Sequence, residues 1–320
     1  MAQPSVSEVH VNRPLTNAST AYVQTDDKFV ATQVFPTVPV EKQSDLITTY
    51  NKNDFFRDEA QPRADGDQSA GSGYGTSNTP YACIVYALHK DIGPQVRRNA
   101  DPERDLDREA TLWLTQRMLI RQEKQWVDDG FKTGVWANDV TPASLWSDFT
   151  SSDIIEDMET GKETILINTG QEANKAVFGY KVFRKAKNHP DILDRIKYTT
   201  QTTGRTVTPQ LLAAMFDLDQ VLVAKSVIAT NREGETAVYD FTHGKHALLL
   251  HTPDAPGLLT PAAGYTLSWR EISQGMGADI AITRERIPLT NGADRVEAQV
   301  AFDNKILGTD LGYFFNGAVA

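Results

Sequence analysis

The sequence predicts an α+β protein, and three features carry that prediction. Residues 101–131 read as one long helix, a polar arm bracketed by strands precedes it, and a mixed domain leading to a β-hairpin follows it. An average helix runs about 11–12 residues, whereas this one would span about 46 Å at roughly 1.5 Å per residue. That is longer than a compact domain needs, and it implies a spine within a larger assembly.

The helix is specified residue by residue. Asp101 suits the N-cap and Pro102 the first helical position, while Glu103, Asp105 and Asp107 favour the positive end of the dipole. Gly130 supplies the stop. Apolar residues recur at sevens, as Leu112, Leu119 and Trp126 and as Leu106, Trp113, Ile120 and Val127. Glu109, Gln116 and Glu123 form a row expected to face water, with Arg117, Arg121 and Lys124 close by. The stripe lasts only about three heptads, short for a free coiled coil. An ordinary amphipathic core helix is the plainer alternative.

Residues 1–30 are polar and aperiodic, and read as an extended arm that orders on another surface. Residues 34–50 are β-like, with Pro36 and Pro39 marking edge or extended backbone. Residues 57–80 are rich in Gly, Ser, Asp and Pro, and the apolar run 81–88 after them reads as a strand. Together these make an overlong hairpin. Compact domains seldom carry structureless loops above about 15 residues. The segment is therefore either a loose surface loop or an arm that reaches a neighbouring subunit.

Beyond the helix come the aromatic anchors Trp136, Trp146 and Phe149, then a short helix over 151–159. Residues 164–168 read as a buried strand, 170–188 as helical, 191–198 as a helical turn, and 208–216 as a helix opened by Thr208-Pro209. Strands are predicted at 220–229 and 246–252, which makes the region mixed α/β. Alternating runs at 278–287 and 295–302 flank the turn signal Thr290-Asn291-Gly292-Ala293 and predict a long hairpin. A strand-like tail, 308–319, carries Leu311, Tyr313, Phe314 and Phe315.

Composition bounds the function. At 320 residues, 40% hydrophobic and 23% charged, the chain can hold one or two domains with a real core. A net charge of −10 argues against a protein built to grip phosphates. Copies would repel one another, so assembly would need buried contacts. With Cys83 alone there is no intrachain disulfide and no cysteine-based zinc site, which fits a reducing compartment. The N-terminus has no apolar signal core, and no run approaches the roughly 18 apolar residues of a membrane span. A soluble protein made in the cytosol is expected.

Motifs for catalysis, cofactors and metals do not assemble. Gly71-Ser72-Gly73-Tyr74-Gly75 lacks the Lys and spacing of a phosphate loop, and Gly161-Lys162-Glu163 reads as a turn. His243, His246 and His251 match no metal spacing and read as satisfied structural histidines. Cys83, in an apolar strand, reads as an inert buried thiol. Glu156, Asp157 and Glu159 read as a solvated helix face, as do the basic clusters Arg97-Arg98 and 181–187. No catalytic, cofactor or metal-binding residue is assigned, and the chain is not expected to be an enzyme.

The order of polar N-arm, long hairpin, spine helix, mixed domain and late hairpin resembles the HK97-type major capsid proteins of tailed double-stranded DNA bacteriophages. The resemblance covers essentially the whole chain. It is carried by VPVEKQSDLITTYNKNDFFRDEA at 38–60, DIGPQVRRNADPERDLDREATLWL at 91–114, FGYKVFRKAKNHPDILDRIKYT at 178–199, LDQVLVAKSVIATNREG at 218–234 and AFDNKILGTDLGYFFNGAV at 301–319. These are distributed stretches and not a catalytic motif.

The resemblance implies an N-arm at 1–35, an E-loop at 36–95, a P-domain spine region at 96–149, an A-domain at 150–277, a P-domain β-hairpin at 278–302 and a tail at 303–320 returning to the A-domain. It implies hexamers and pentamers of a phage head assembled in the host bacterial cytoplasm. The implied partners are a portal, a separately encoded scaffolding protein, a possible decoration protein and packaged double-stranded DNA on the inner face, with no membrane and no cofactor. Arg57, Asp58, Glu59, Arg63, Asp65 and Asp67 would make polar E-loop contacts to a neighbour. Leu112, Trp113, Leu119, Ile120 and Trp126 would pack the spine against the P-domain sheet. The readings held against this one are an α/β enzyme whose long loop is a lid, and another oligomeric phage component.

Overall fold

A computed structural model describes residues 23–100, 105–199, 207–257, 259–273, 280–287 and 292–320. In chain order the first half holds α1 (Ala31–Val34), β1 (Thr37–Val40), β2 (Ser44–Tyr50), α2 (Lys52–Phe55), β3 (Thr76–Ala82), β4 (Ile84–Ile92), α3 (Pro94–Asn99) and α4 (Leu106–Gly130). Next come β5 (Asn138–Val140), α5 (Ile154–Thr169), β6 (Lys175–Gly179), α6 (Tyr180–Ala186), α7 (Pro190–Thr199) and α8 (Pro209–Met215). The rest is β7 (Gln220–Ala224), β8 (Val227–Ala229), β9 (Tyr239–Phe241), β10 (Ala247–Leu250), β11 (Gly264–Trp269), α9 (Arg270–Ser273), β12 (Ala281–Ile287), β13 (Ala293–Ile306) and β14 (Gly312–Phe315).

Two five-stranded sheets organise the fold. In the first, β13 is the hub: it pairs antiparallel with β12 over 293–299, with β4 over 294–302 and with β11 over 302–306. β1 adds to β11 in parallel. The second runs β5-β14-β10-β6-β7. β2 and β3 pair only with each other and form the stalk of the arm.

The second sheet is covered on both faces, which is why its strands read as unbroken apolar runs. Ala176 and Phe178, Ala247 and Leu249, and Tyr313 and Phe315 point to one core. Val177, Leu248, Leu250 and Phe314 point to the other, with Trp126, Phe131 and Phe35. The alternation is the two-residue period of a pleated strand. α5 covers the first face and crosses it at Gly161, where a Cβ would stand 2.8 Å from Leu249 Cδ1.

Several sequence expectations are corrected. Residues 164–168 are not a strand but the last turns of α5, capped by Asp153 at the start and by left-handed Gly170 at the end. Ile154, Met158, Gly161 and Ile165 form its buried row, while Ile167 is 75% exposed, so tertiary packing overrides the local β-propensity. Gly161-Lys162-Glu163 therefore lies inside a helix and is not a turn. Residues 170–188 begin not as helix but as the buried strand β6. The run 220–229 is broken at Lys225-Ser226, and 81–88 is broken at Cys83, which joins arm to sheet. The long helix starts at Leu106, with Asp105 accepting from the Asp107 and Arg108 amides. The predicted cap at Asp101, with Pro102 and Glu103, lies outside the described residues, as do 1–22 of the arm and Thr290-Asn291 of the turn.

Candidate functional site

The residues singled out in the sequence lie on the arm and on the long helix. β2 and β3 flank α2 and the loop 56–75, whose residues are all exposed. Arg57, Asp58, Glu59, Arg63, Asp65 and Asp67 all lie in that loop and all are exposed. Within the subunit, Glu59 accepts a hydrogen bond from the Ser72 hydroxyl, and Asp54 closes the loop by accepting from the Gly75 amide at 2.8 Å. Tyr50, Phe55 and Tyr74 form an aromatic knob at its base, with ring centroids 5.8–6.1 Å apart. All three rings are at least 36% exposed. The knob is not legible in the sequence because Tyr74 lies 19 and 24 residues from Phe55 and Tyr50, and only the β2–β3 register brings Tyr50 opposite Thr76.

The long helix packs with a phase different from the one its heptads suggest. Ala110, Leu114 and Met118, with Leu106 before them, lie against Val296, Ala298, Val300 and Phe302 of β13. Leu112 and Trp113 do not pack on the sheet: they are 50% and 41% exposed. The Arg117 guanidinium sits 5.3 Å from the centroid of the Trp113 ring. Leu119 and Ile120 are half-buried. Trp126 is fully buried, but in the second core beside Phe35 and Phe131.

The buried row is 110, 114, 118, 122, 126 and 130, a strict spacing of four. At 3.6 residues per turn each such step advances about 40° around the axis, so the row winds as it climbs. The helix thus faces the first sheet at its start and the second core at its end. A stripe of sevens describes one fixed face, which is why it misplaced the contacts.

That winding carries Glu123 inward. Expected among the solvent-facing row, it is instead fully buried. Its carboxyl accepts from the Ala31 amide at 2.9 Å, the Val30 amide at 3.0 Å and the Ser226 hydroxyl at 3.1 Å. Burial pushes its pKa up to about 7, against the pull of those donors. Its neighbour His243 is buried between Trp126 and Phe131, and burial lowers its pKa to about 3. Among the described residues neither ring nitrogen of His243 has a hydrogen-bond partner, so it is not the satisfied histidine expected. His246 does accept, from the Gly317 amide at 3.0 Å, and His251 Nδ1 lies 2.7 Å from the Glu172 carbonyl.

Part of the other charged motifs makes structural contacts. Arg97, expected on a solvated face, forks onto Asp107 at 2.7 and 3.1 Å and reaches Asp294 at 3.0 Å. Arg284 joins the same two carboxylates. In the 181–187 cluster, Lys181 pairs with Asp240 at 2.8 Å. Asp157 accepts from the buried Trp146 indole at 2.7 Å, whereas Glu156 and Glu159 face solvent. Cys83 is buried, and burial raises its thiol pKa to about 11, far from nucleophilic. Among the described residues, no cluster of His, Cys, Asp and Glu is placed to hold a metal, and no helix is long and apolar enough to cross a membrane.

This layout of arm, long helix and two sheets is shared with known proteins. The chain has the HK97-type capsid fold. It superposes on a phage-related protein of Bordetella bronchiseptica RB50 with a TM-score of 0.67 at 20% identity, covering 92% of this chain and 93% of that one. It superposes on the capsid structure of cyanophage P-SCSP1u with a TM-score of 0.64 at 8% identity, covering 100% and 96%. In sequence it is 26% identical over 318 residues to the major capsid protein of Burkholderia phage BcepMu, covering 96% of each chain. No family model matches the chain.

Proposed function

We propose that this chain is a phage major capsid protein, a structural subunit that closes with copies of itself into the icosahedral shell of a virion. The carrying observation is the likeness to the BcepMu major capsid protein along 96% of both chains, on a capsid fold. The protein works through distributed contacts and is not an enzyme.

In this reading residues 1–35 are the N-arm and 36–95 hold the E-loop. The long helix and the 278–302 hairpin belong to the P-domain, and 150–277 with the tail form the A-domain. Strands β4 and β11 share a sheet with β12 and β13, which supports drawing the P-domain more widely to include both. The exposed tip residues Arg57 to Asp67 and the aromatic knob contact a neighbouring subunit. Leu112 and Trp113, turned away from their own sheet, supply an apolar ridge for such a contact. Subunits group into hexamers and pentamers in the bacterial cytoplasm, on a scaffolding protein and around a portal, and the shell is filled with double-stranded DNA. With a net charge of −10, copies repel, so buried apolar contacts have to drive closure.

The test is particle formation. The chain, expressed alone and with the genes beside it, should yield megadalton shells or capsomers by sedimentation and electron microscopy. A monomer under every condition would sink the proposal.

A further inference from the structure

The arm meets the body of its own subunit at its root and again at the far end of β2. At the root, the Ala82 amide donates to Asp303 Oδ2 at 3.0 Å, and Tyr81 and Cys83 pack against Leu267 of β11. The second place lies at the far end of β2. There Lys52 pairs with Asp310, and the Phe56 ring lies over Gly170, the left-handed cap of α5. A Cβ at Gly170 would stand 3.4 Å from that ring, so the cap without a side chain leaves room for it.

The second attachment is loose. Both ion-pair side chains are about 40% exposed, at 42% and 37%, and Phe56 is 62% exposed. Exposed ion pairs are weak and easily exchanged for water. Between the attachments a cleft of about 690 Å³ stays open, with Ile47, Tyr50 and Phe55 on the arm side and Leu259, Tyr265 and Leu307 on the body side. Close-packed interiors do not leave such a gap, so the arm rests on the body without fusing to it.

We propose that Lys52–Asp310 and Phe56 over Gly170 form an intramolecular latch that stows the arm on its own subunit, and that the latch opens before the arm engages a second copy. This rests on the capsid reading above. The latch restrains assembly of the free subunit, and its weakness lets a neighbour's surface displace it.

The test uses the full-length chain as Lys52→Cys with Asp310→Cys, bridged by a short bis-maleimide with a reductant-cleavable spacer; the one native thiol, Cys83, is buried. The bridge is expected to form within single subunits, to cut shell yield at least tenfold, and to release normal yield on cleavage. Lys52→Asp should speed assembly several-fold, and adding Asp310→Lys should bring the rate back. Failure to bridge, or bridged subunits that assemble at the normal rate, would overturn the latch. So would a Lys52→Asp rate that stays normal or falls. If unmodified protein forms no shells at all, the capsid reading fails instead, and the bridging yield still reports whether the arm is stowed.

Discussion

His243 Nδ1 lies 3.5 Å from Glu123 Oε1, and both side chains are cut off from solvent. The distance would suit an ion pair, but burial drives both groups toward their neutral forms, Glu123 with a pKa near 7 and His243 near 3. We assign the single proton to the carboxyl, because a separated charge pair here would gain little solvation. The carboxyl in turn holds the amides of Val30 and Ala31, tying the start of α1 to the long helix.

The sign of the pH dependence follows from a raised folded pKa. Glu123 contributes stability that is fully present below its ordinary value of 4.5 and is lost as pH climbs through about 7. The loss is of order 3 kcal/mol at most. Urea unfolding of Glu123→Gln should show a stability gap to the parent chain that shifts in favour of Gln from pH 5 to pH 9. A pH-independent gap would refute the assignment.

Asp107 behaves in the opposite direction. The Arg97 hydrogen bond is the main cause of its lowered pKa. Its stabilisation is present above the ordinary carboxylate value of 3.8 and disappears as pH falls through the lower folded value. Asp107→Asn should cost about 1 kcal/mol at pH 7, allowing for partial exposure, and much less at pH 2. An equal cost at both values would mean that the network contributes nothing through charge.

Neighbouring positions on the long helix should separate folding from assembly. Leu114 is fully buried against β13, and Leu114→Ala should cost about 2–5 kcal/mol in denaturant unfolding. Leu112→Ser with Trp113→Ala should change subunit stability by only about 0.5 kcal/mol per site while lowering shell yield. Shells at normal yield from the double variant would remove the exposed ridge from the interface.

Gly161 sets the approach of α5 to the second sheet. Gly161→Val would force atoms against Leu249, Tyr313 and Phe315 and should destabilise by about 1–3 kcal/mol. Gly161→Ala also meets Leu249, but it gains up to about 1 kcal/mol of helix propensity, so its cost should be smaller. Thermal unfolding of the two variants tests the order.

Removing residues 60–72 from the arm tip takes away only exposed backbone and side chains. The melting temperature of the subunit should stay within a few degrees of the parent, whereas shell formation should fall sharply. Unchanged assembly would show that the charged tip is a dispensable loop.

The sequence by itself determined the long helix, the apolar strand β10, the alternating strand β13 and the overlong arm, because each is a local pattern of period, propensity or composition. Its resemblance to phage capsid proteins was legible for the same reason, spread over many short stretches. Tertiary structure alone decided which faces those elements bury. Residues 164–168 look like a strand, yet they finish α5 because Ile165 has a core to enter. The water-facing row of the long helix lost Glu123 to the interior because the helix leaves one sheet and meets another core. Its buried row of fours winds about 40° per step to follow them. Periodicity fixes that a helix has a face; only its partners fix where that face points at each turn, and here the partners change along its length.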